Sequence, residues 1–285
     1  MRFAVNPLQF HAGADGMLDF ASGPPRPEIL RACARAGFGA VQEDRFDELD
    51  ATRRDLAAAN LRAAPPYFSA AMVDPERHDA IAERFRRAVG YARALGLDRI
   101  VIADDMTRER FFSAGRHADA PADETDADAV AAVVSRLDAI GRAEGVHPAF
   151  HPHVGTHIES PAEIAALLAR SPVALCPDTG HLAWAGVADV RDWMRRHRDR
   201  IAMLHLKDVD RATARRGVAA EWSFRRFVRE GLWREPGTGD LDLAGVLDDF
   251  ADTDLWCVVE VDAPHRRTAE ESLAVGGAFI RAWED

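Results

Sequence analysis

FHPHVGTHIES (residues 150–160), LCPDTGHLAW (175–184) and MLHLKD (203–208) are three short apolar runs of β type, each ending in residues able to hold a divalent cation. Those endings are His151 and His153, Asp178 and His181, and His205, and a fourth run, WCVVEVD (256–262), ends in Glu260. Imidazole nitrogen and carboxylate oxygen bind hard and borderline divalent metals, so His151, Asp178, His205 and Glu260 form a candidate ligand set. Side chains alternate along a strand; His151 and His153 therefore share a face, as do His205 and Lys207, and Glu260 and Asp262. Asp178 directly precedes Thr179-Gly180-His181, a turn that swings His181 over the same opening. A lone His at a strand end is ordinarily a hydrogen-bonding residue, and a lone Asp there ordinarily caps the next helix. Recurrence across four successive strands is what points to a metal. Asp208, of opposite parity to Lys207, is expected to form a cap or turn, and His11, His78, His117, His197 and His265 are expected to be solvated.

The same alternation of apolar runs with longer amphipathic segments extends over the whole chain, which is the signature of βα units and a parallel sheet. Strand candidates lie at Phe3–Asn6, Ala40–Glu43, Leu61–Ala64, Arg99–Ala103, Pro148–His151, Ala174–Asp178, Ala202–Lys207 and Trp256–Glu260. Helical patterns separate them, with Ser160-Pro161 opening one and Gly37, Gly96 and Gly145 closing others. Eight such units close a barrel, and 285 residues suit one. The expected fold is α/β, a (β/α)8 TIM barrel forming a single domain over residues 1–285. An open doubly wound sheet is the competitor, but NPLQFHAGADG stands where a GxGxxG would follow the first strand. Two long connections, His11 to Pro25 and Asp210 to Gly239, follow strand ends on the side where barrels place their active sites.

Composition narrows the function. Thirty-six Lys plus Arg against 47 Asp plus Glu leave a net charge of −11, which disfavours nucleic acid and anionic membrane as partners. No apolar run is long enough to span a bilayer. The N-terminal MRFAVNPLQF lacks the layout of a secretory signal, and Cys33, Cys176 and Cys257 are scattered in apolar surroundings, so a cytoplasmic protein with reduced thiols is expected. Whether it forms a homo-oligomer is left open. The aromatic residues Trp222, Phe224, Phe227 and Trp233 in the second long connection are read as a lid, a subunit contact or core.

At FHPHVGT, DTGHLAWAG, HLKD, PGTGDLDL and VVEVD the chain resembles the sugar phosphate isomerase/epimerase superfamily, with its xylose-isomerase-like barrel. Within it the similarity is to the myo-inosose (2-keto-myo-inositol) dehydratases of IolE type. The resemblance implies a divalent ion, Mn2+ foremost, with Co2+, Mg2+, Zn2+ and Fe2+ as alternatives. Asp178, His205 and Glu260 match its ligand positions, whereas His151 stands where many relatives have Glu. His153 and His181 match positions that touch substrate oxygens or move protons, and Lys207 fits a substrate contact facing the mouth. Gln42 stands where many relatives carry a Glu; whether Gln42 or Glu43 faces inward decides whether a second carboxylate is present.

The chemistry so implied begins with removal of a proton α to a ketone. Loss of a β-hydroxyl then gives dehydration, and return of the proton gives isomerisation or epimerisation. His153 or His181 is expected to move the proton, an imidazole near neutral pKa being able both to accept and to donate. Arg211, Arg215, Arg216, PGTGD and Arg266-Arg267 are read as solvated loop, so the expected substrate is an unphosphorylated polyol or cyclitol ketone. A sugar isomerase or epimerase on the same metal, and a non-catalytic sugar-binding barrel, are the alternative readings.

Overall fold

The computed structural model describes residues 1–266 and 268–285; Arg267 lies outside the described residues. Among the described residues nine parallel strands form the barrel wall: β1 (Arg2–Asn6), β2 (Ala40–Gln42), β3 (Arg62–Ala64), β4 (Tyr67–Ala70), β5 (Arg99–Asp104), β6 (His147–Phe150), β7 (Ala174–Leu175), β8 (Met203–Leu206) and, after a small antiparallel pair β9 (Asp208–Val209) and β10 (Trp233–Arg234), β11 (Trp256–Glu260). One sheet has the order β3-β2-β1-β11-β8 and the other β4-β5-β6-β7. They join twice. On one side Pro65-Pro66 interrupts a single stave, because proline has no N–H to give the ladder, so that β3 pairs with β2 while β4 pairs with β5. On the other, isolated bridges Leu175↔Ile201 and Asp178↔His205 connect β7 to β8. The result is the expected eight-stave barrel.

Helices α1 (Arg26–Arg35), α2 (Leu49–Ala58) and α3 (His78–Ala94) begin the outer ring. After the short α4 (Arg108–Phe112), the ring continues with α5 (Glu124–Ala143) and α6 (Pro161–Arg170). Another short helix, α7 (Thr179–Trp184), precedes the ring helix α8 (Val190–Arg196). Two mouth helices, α9 (Arg211–Ala219) and α10 (Phe224–Arg229), come before the last ring members, α11 (Leu243–Phe250) and α12 (Ala269–Glu284). Ser160 caps α6 in a reciprocal capping box with Glu163, a device worth about 1 kcal/mol. Gly96 and Gly145, read as helix stops, have φ of 74° and 72°, which side chains with a Cβ rarely adopt. Among the described residues no helix is long and apolar enough to cross a membrane.

Strand alternation divides the wall into two sets of side chains, and this division positions everything at the mouth. Ala4, Ala40, Ala64, Val101, Ala149, Cys176, Met203 and Val258 form one buried cluster inside the barrel. Their neighbours Val5, Val41, Ile100, Ile102, Phe150, Leu175, Leu204, Leu206, Cys257 and Val259 face the helices in the main core. Two residues further along the inward set come Asn6, Gln42, His151, Asp178, His205 and Glu260, and two beyond those, Lys207 and Asp262.

Of the three readings of the aromatic residues in the second long connection, the structure bears out the core. The connection is folded into α9, α10 and β10, and Trp222, Phe224, Phe227 and Trp233 are buried together with Val154, Trp184 and Val209 as a second core over part of the mouth. Asp208 organises this layer as expected, its carboxylate accepting from the amides of Val209, Gly237, Gly239 and Leu241 at 2.9–3.2 Å.

Candidate metal centre

Ligand atoms of Asp178, His205 and Glu260 lie within 4.8 Å of one another at the C-terminal ends of three adjacent staves. All three side chains are buried. Asp178 is the N-cap of α7: its Oδ1 accepts from the His181 amide at 2.9 Å, while Oδ2 has no hydrogen-bond partner among the described residues. Among the described residues neither ring nitrogen of His205 has a hydrogen-bond partner, although Nδ1 lies 3.3 Å from Glu260 Oε2. Glu260 receives Lys207 Nζ at Oε1 (2.7 Å) and Asn6 Nδ2 at Oε2 (2.9 Å). A buried donor or acceptor left unsatisfied costs about 1–3 kcal/mol. Unused lone pairs on Asp178 and His205, facing a carboxylate, are the arrangement that a divalent cation satisfies, so the residues fit such an ion.

Charge at the centre is set by Lys207. Burial alone would lower its pKa, but Asp262, Glu260 and Asp178 raise it well above the ordinary lysine value, so it is an ammonium. Its three donors are engaged by Glu260 at 2.7 Å, Asp262 at 2.6 Å and His181 Nε2 at 3.4 Å, and the ring of Trp233 lies 4.6 Å from Nζ. Gly180 makes the approach feasible, since a Cβ there would stand 2.9 Å from Lys207 Cγ. For Glu260, burial pushes the pKa up but Lys207 overrides it and holds the carboxyl below its usual range. Asp178, also buried but with Lys207 at 3.6 Å, is pushed up to about 7.

His151 stands beside the cluster rather than in it. Its ring is 4.7 Å from that of His205, and it groups with Cys176 and His205, and separately with His153 and His181. Its Nδ1 meets the Cys176 carbonyl at 3.1 Å; a carbonyl only accepts, so Nδ1 carries the proton and Nε2 the lone pair, the tautomer of a metal-binding histidine. The same reasoning fixes His153, whose Nδ1 meets the Val154 carbonyl at 2.7 Å. Burial, then Lys207, lowers its pKa to about 4, so it is neutral at neutral pH with a free lone pair on Nε2. The His181 ring lies 3.8 Å from that of His153, tilted by 41°. Burial first, then His153 and Lys207, hold its pKa well below the ordinary value. A neutral imidazole has one acceptor, so the contacts of His181 with Lys207 Nζ and the Val154 amide, both at 3.4 Å, exclude each other; the charge-assisted one places the lone pair on Nε2.

Gln42 is the inward residue of its stave. It is buried, its Nε2 donating to the Pro65 carbonyl at 2.7 Å and its Oε1 accepting from Asn6. Glu43 points outward and pairs with Arg26 at 3.2 Å. Two neighbours of the centre carried no signal in the sequence. Tyr67, inward on β4, packs against His151 (5.6 Å between rings) and His205 (6.3 Å), and Asn6 closes the first stave. Of the histidines read as solvated, His265 is exposed; His11, His78, His117 and His197 are half-buried with hydrogen-bond partners.

A model of the xylose isomerase-like TIM barrel family matches residues 30–283. The chain belongs to that family. Inosose dehydratase of Bacillus velezensis is 27% identical over 256 residues, covering 87% of this chain and 85% of the relative. Among solved structures, the 3-keto-D-glucoside 4-epimerase YcjR of E. coli superimposes with a TM-score of 0.71 at 13% identity, over 99% of both chains. The IOLI protein with a binding zinc atom superimposes with a TM-score of 0.67 at 16% identity, over 99% of this chain and 98% of its own. The inosose dehydratase of Lactiplantibacillus plantarum is likewise 27% identical, over 89% of this chain and 87% of its own.

Proposed function

We propose that the protein is a divalent-metal-dependent dehydratase that removes a proton α to the ketone of an unphosphorylated polyol or cyclitol and expels a β-hydroxyl as water. The observation that carries this reading is the convergence of Asp178, His205 and Glu260 around unpartnered lone pairs. The inosose dehydratase relative supports the substrate class. Zinc in the IOLI structure supports a divalent ion, which we expect to be Mn2+ in this chain.

A cation held by Asp178, His205, Glu260 and, from the adjacent stave, His151 would polarise the substrate carbonyl as a Lewis acid. Everything else is the work of the chain. His153 is the base: Nδ1–H is fixed on the Val154 carbonyl, which leaves Nε2 to take the α proton. The C–H pair becomes the new double bond as the β C–O bond breaks, and the proton taken by His153 leaves with the departing hydroxyl as water. Such acid–base help is typically worth about 10² to 10⁴ in rate. Lys207, with its donors engaged below the mouth, acts through charge by keeping Glu260 ionised and the histidines neutral. Tyr67, the wall of the mouth beside His151, is a hydroxyl donor for the substrate.

Incubation with Mn2+ and 2-keto-myo-inositol tests the proposal, the expected result being growth of the ultraviolet absorbance of a conjugated enol-ketone. Solvent deuterium entering substrate without loss of water would replace it with the isomerase or epimerase reading. The inward amide of Gln42 speaks against an epimerase working with paired carboxylates.

A further inference from the structure

Both oxygens of Glu260 already receive a donor from the protein, and the one nearer His205 receives it from Asn6. Asn6 lies directly across from Glu260 in the β1–β11 register, on the same inward face. Its Nδ2 donates at 2.9 Å to Glu260 Oε2 and at 3.2 Å to Gln42 Oε1. Gln42 in turn donates through Nε2 to the Pro65 carbonyl at 2.7 Å.

This chain has only one polarity. A side-chain amide can rotate by half a turn and exchange its oxygen and nitrogen, but a carbonyl accepts and never donates. The Pro65 carbonyl therefore fixes Gln42 with its nitrogen outward and its oxygen toward Asn6. That oxygen, together with the carboxylate of Glu260, fixes Asn6 with its NH2 between them. The Pro65 carbonyl is free for this purpose because it lies past the end of the β2–β3 ladder, at the Pro65-Pro66 break where the stave changes partners. A sequence feature that interrupts the barrel wall thus reaches the centre through two neutral amides.

We propose that Asn6, oriented by Gln42 and the Pro65 carbonyl, is a positioning residue that aims Glu260 Oε2 at the cation site. The inference rests on the metal-binding reading above. Groups of this kind, one bond removed from a metal, typically contribute 10- to 100-fold in affinity.

The test is isothermal titration of the full chain, stripped of metal, with Mn2+ alone. Wild-type protein, Asn6→Ala, Gln42→Leu and the double variant are compared, with melting temperature recorded for each. Asn6→Ala is expected to weaken Kd about 10- to 100-fold, and Gln42→Leu less. In the double variant the effect of Gln42→Leu is expected to vanish, because Gln42 acts only through Asn6. Asn6→Ser, which is too short to reach Glu260, makes the same comparison should the alanine variant not melt cooperatively. Unchanged Kd in Asn6→Ala or Asn6→Ser with intact wild-type binding overturns the relay alone, and additive effects in the double variant do the same. Wild-type protein that takes up no Mn2+ overturns both the relay and the proposed function.

Discussion

Glu159 accepts a hydrogen bond from the Gly155 amide at 2.6 Å, and this contact pins the loop that leaves His153. The carboxyl is buried, and among the described residues Oε1 has no hydrogen-bond partner, Arg110 Nη1 standing 3.9 Å away. Burial outweighs the amide and Arg110, and pushes its pKa from 4.5 up to about 7. The folded chain therefore holds a proton that the unfolded chain releases, and stability falls as pH rises from about 4.5 to 7. The loss is on the order of 2–3 kcal/mol. In Glu159→Gln, thermal melts across that range should lose most of this slope; an undiminished slope would show that Glu159 is not its source.

His157 titrates in a different window. His157 Nδ1 meets Asp104 Oδ2 at 2.6 Å, and although burial pulls the imidazole pKa down, the hydrogen bond and charge of Asp104 leave it raised. Its stabilising contribution is full below about pH 6.5 and is lost as pH rises through the elevated folded value. NMR titration of His157 should give a midpoint above that of a free histidine, and Asp104→Asn should return it to or below the ordinary value. A midpoint unmoved by Asp104→Asn would contradict the pairing.

Asp208 holds four backbone amides of the layer over the mouth. Asp208→Ala leaves those buried donors without their acceptor and should cost about 3 kcal/mol or more, read as a shift in the urea midpoint. Asp208→Asn, which keeps one acceptor oxygen, should cost less. Equal, small shifts in both variants would show that the loop closes without the carboxylate.

His153 and Tyr67 should separate chemistry from binding. His153→Ala is expected to lower kcat by about 10²- to 10⁴-fold with little change in Mn2+ affinity. Tyr67→Phe, which removes one hydroxyl from the mouth and keeps the ring against His151, should lower kcat/KM by about 10-fold, the usual worth of one hydrogen bond. Wild-type turnover in His153→Ala would transfer the proton step to His181.

The barrel was legible because alternation survives in the staves: Trp256–Glu260 coincides with its sequence reading, and the other seven differ by a few residues at their ends. The continuation of the third stave into Tyr67–Ala70 was hidden by Pro65-Pro66, which looks like a strand end and is a change of partner. Asp178, His205 and Glu260 stood out as polar endings of apolar runs. Asn6 ends RFAVN in the same way, but an amide has no metal-binding signature to attract notice. Gln42 and Glu43 could not be told apart without the observed outward packing of Val41. The helices α9 and α10 escaped because their apolar faces pack on the mouth rather than on the barrel wall.

The central claim is that three staves grip one ion, and anomalous diffraction from crystals grown with Mn2+ tests it most directly. The account predicts a single strong peak at the manganese edge, about 2.0–2.2 Å from Asp178 Oδ2, a ring nitrogen of His205 and Glu260 Oε2. A peak seated instead among His151, His153 and His181, or no peak between the three staves, would contradict it.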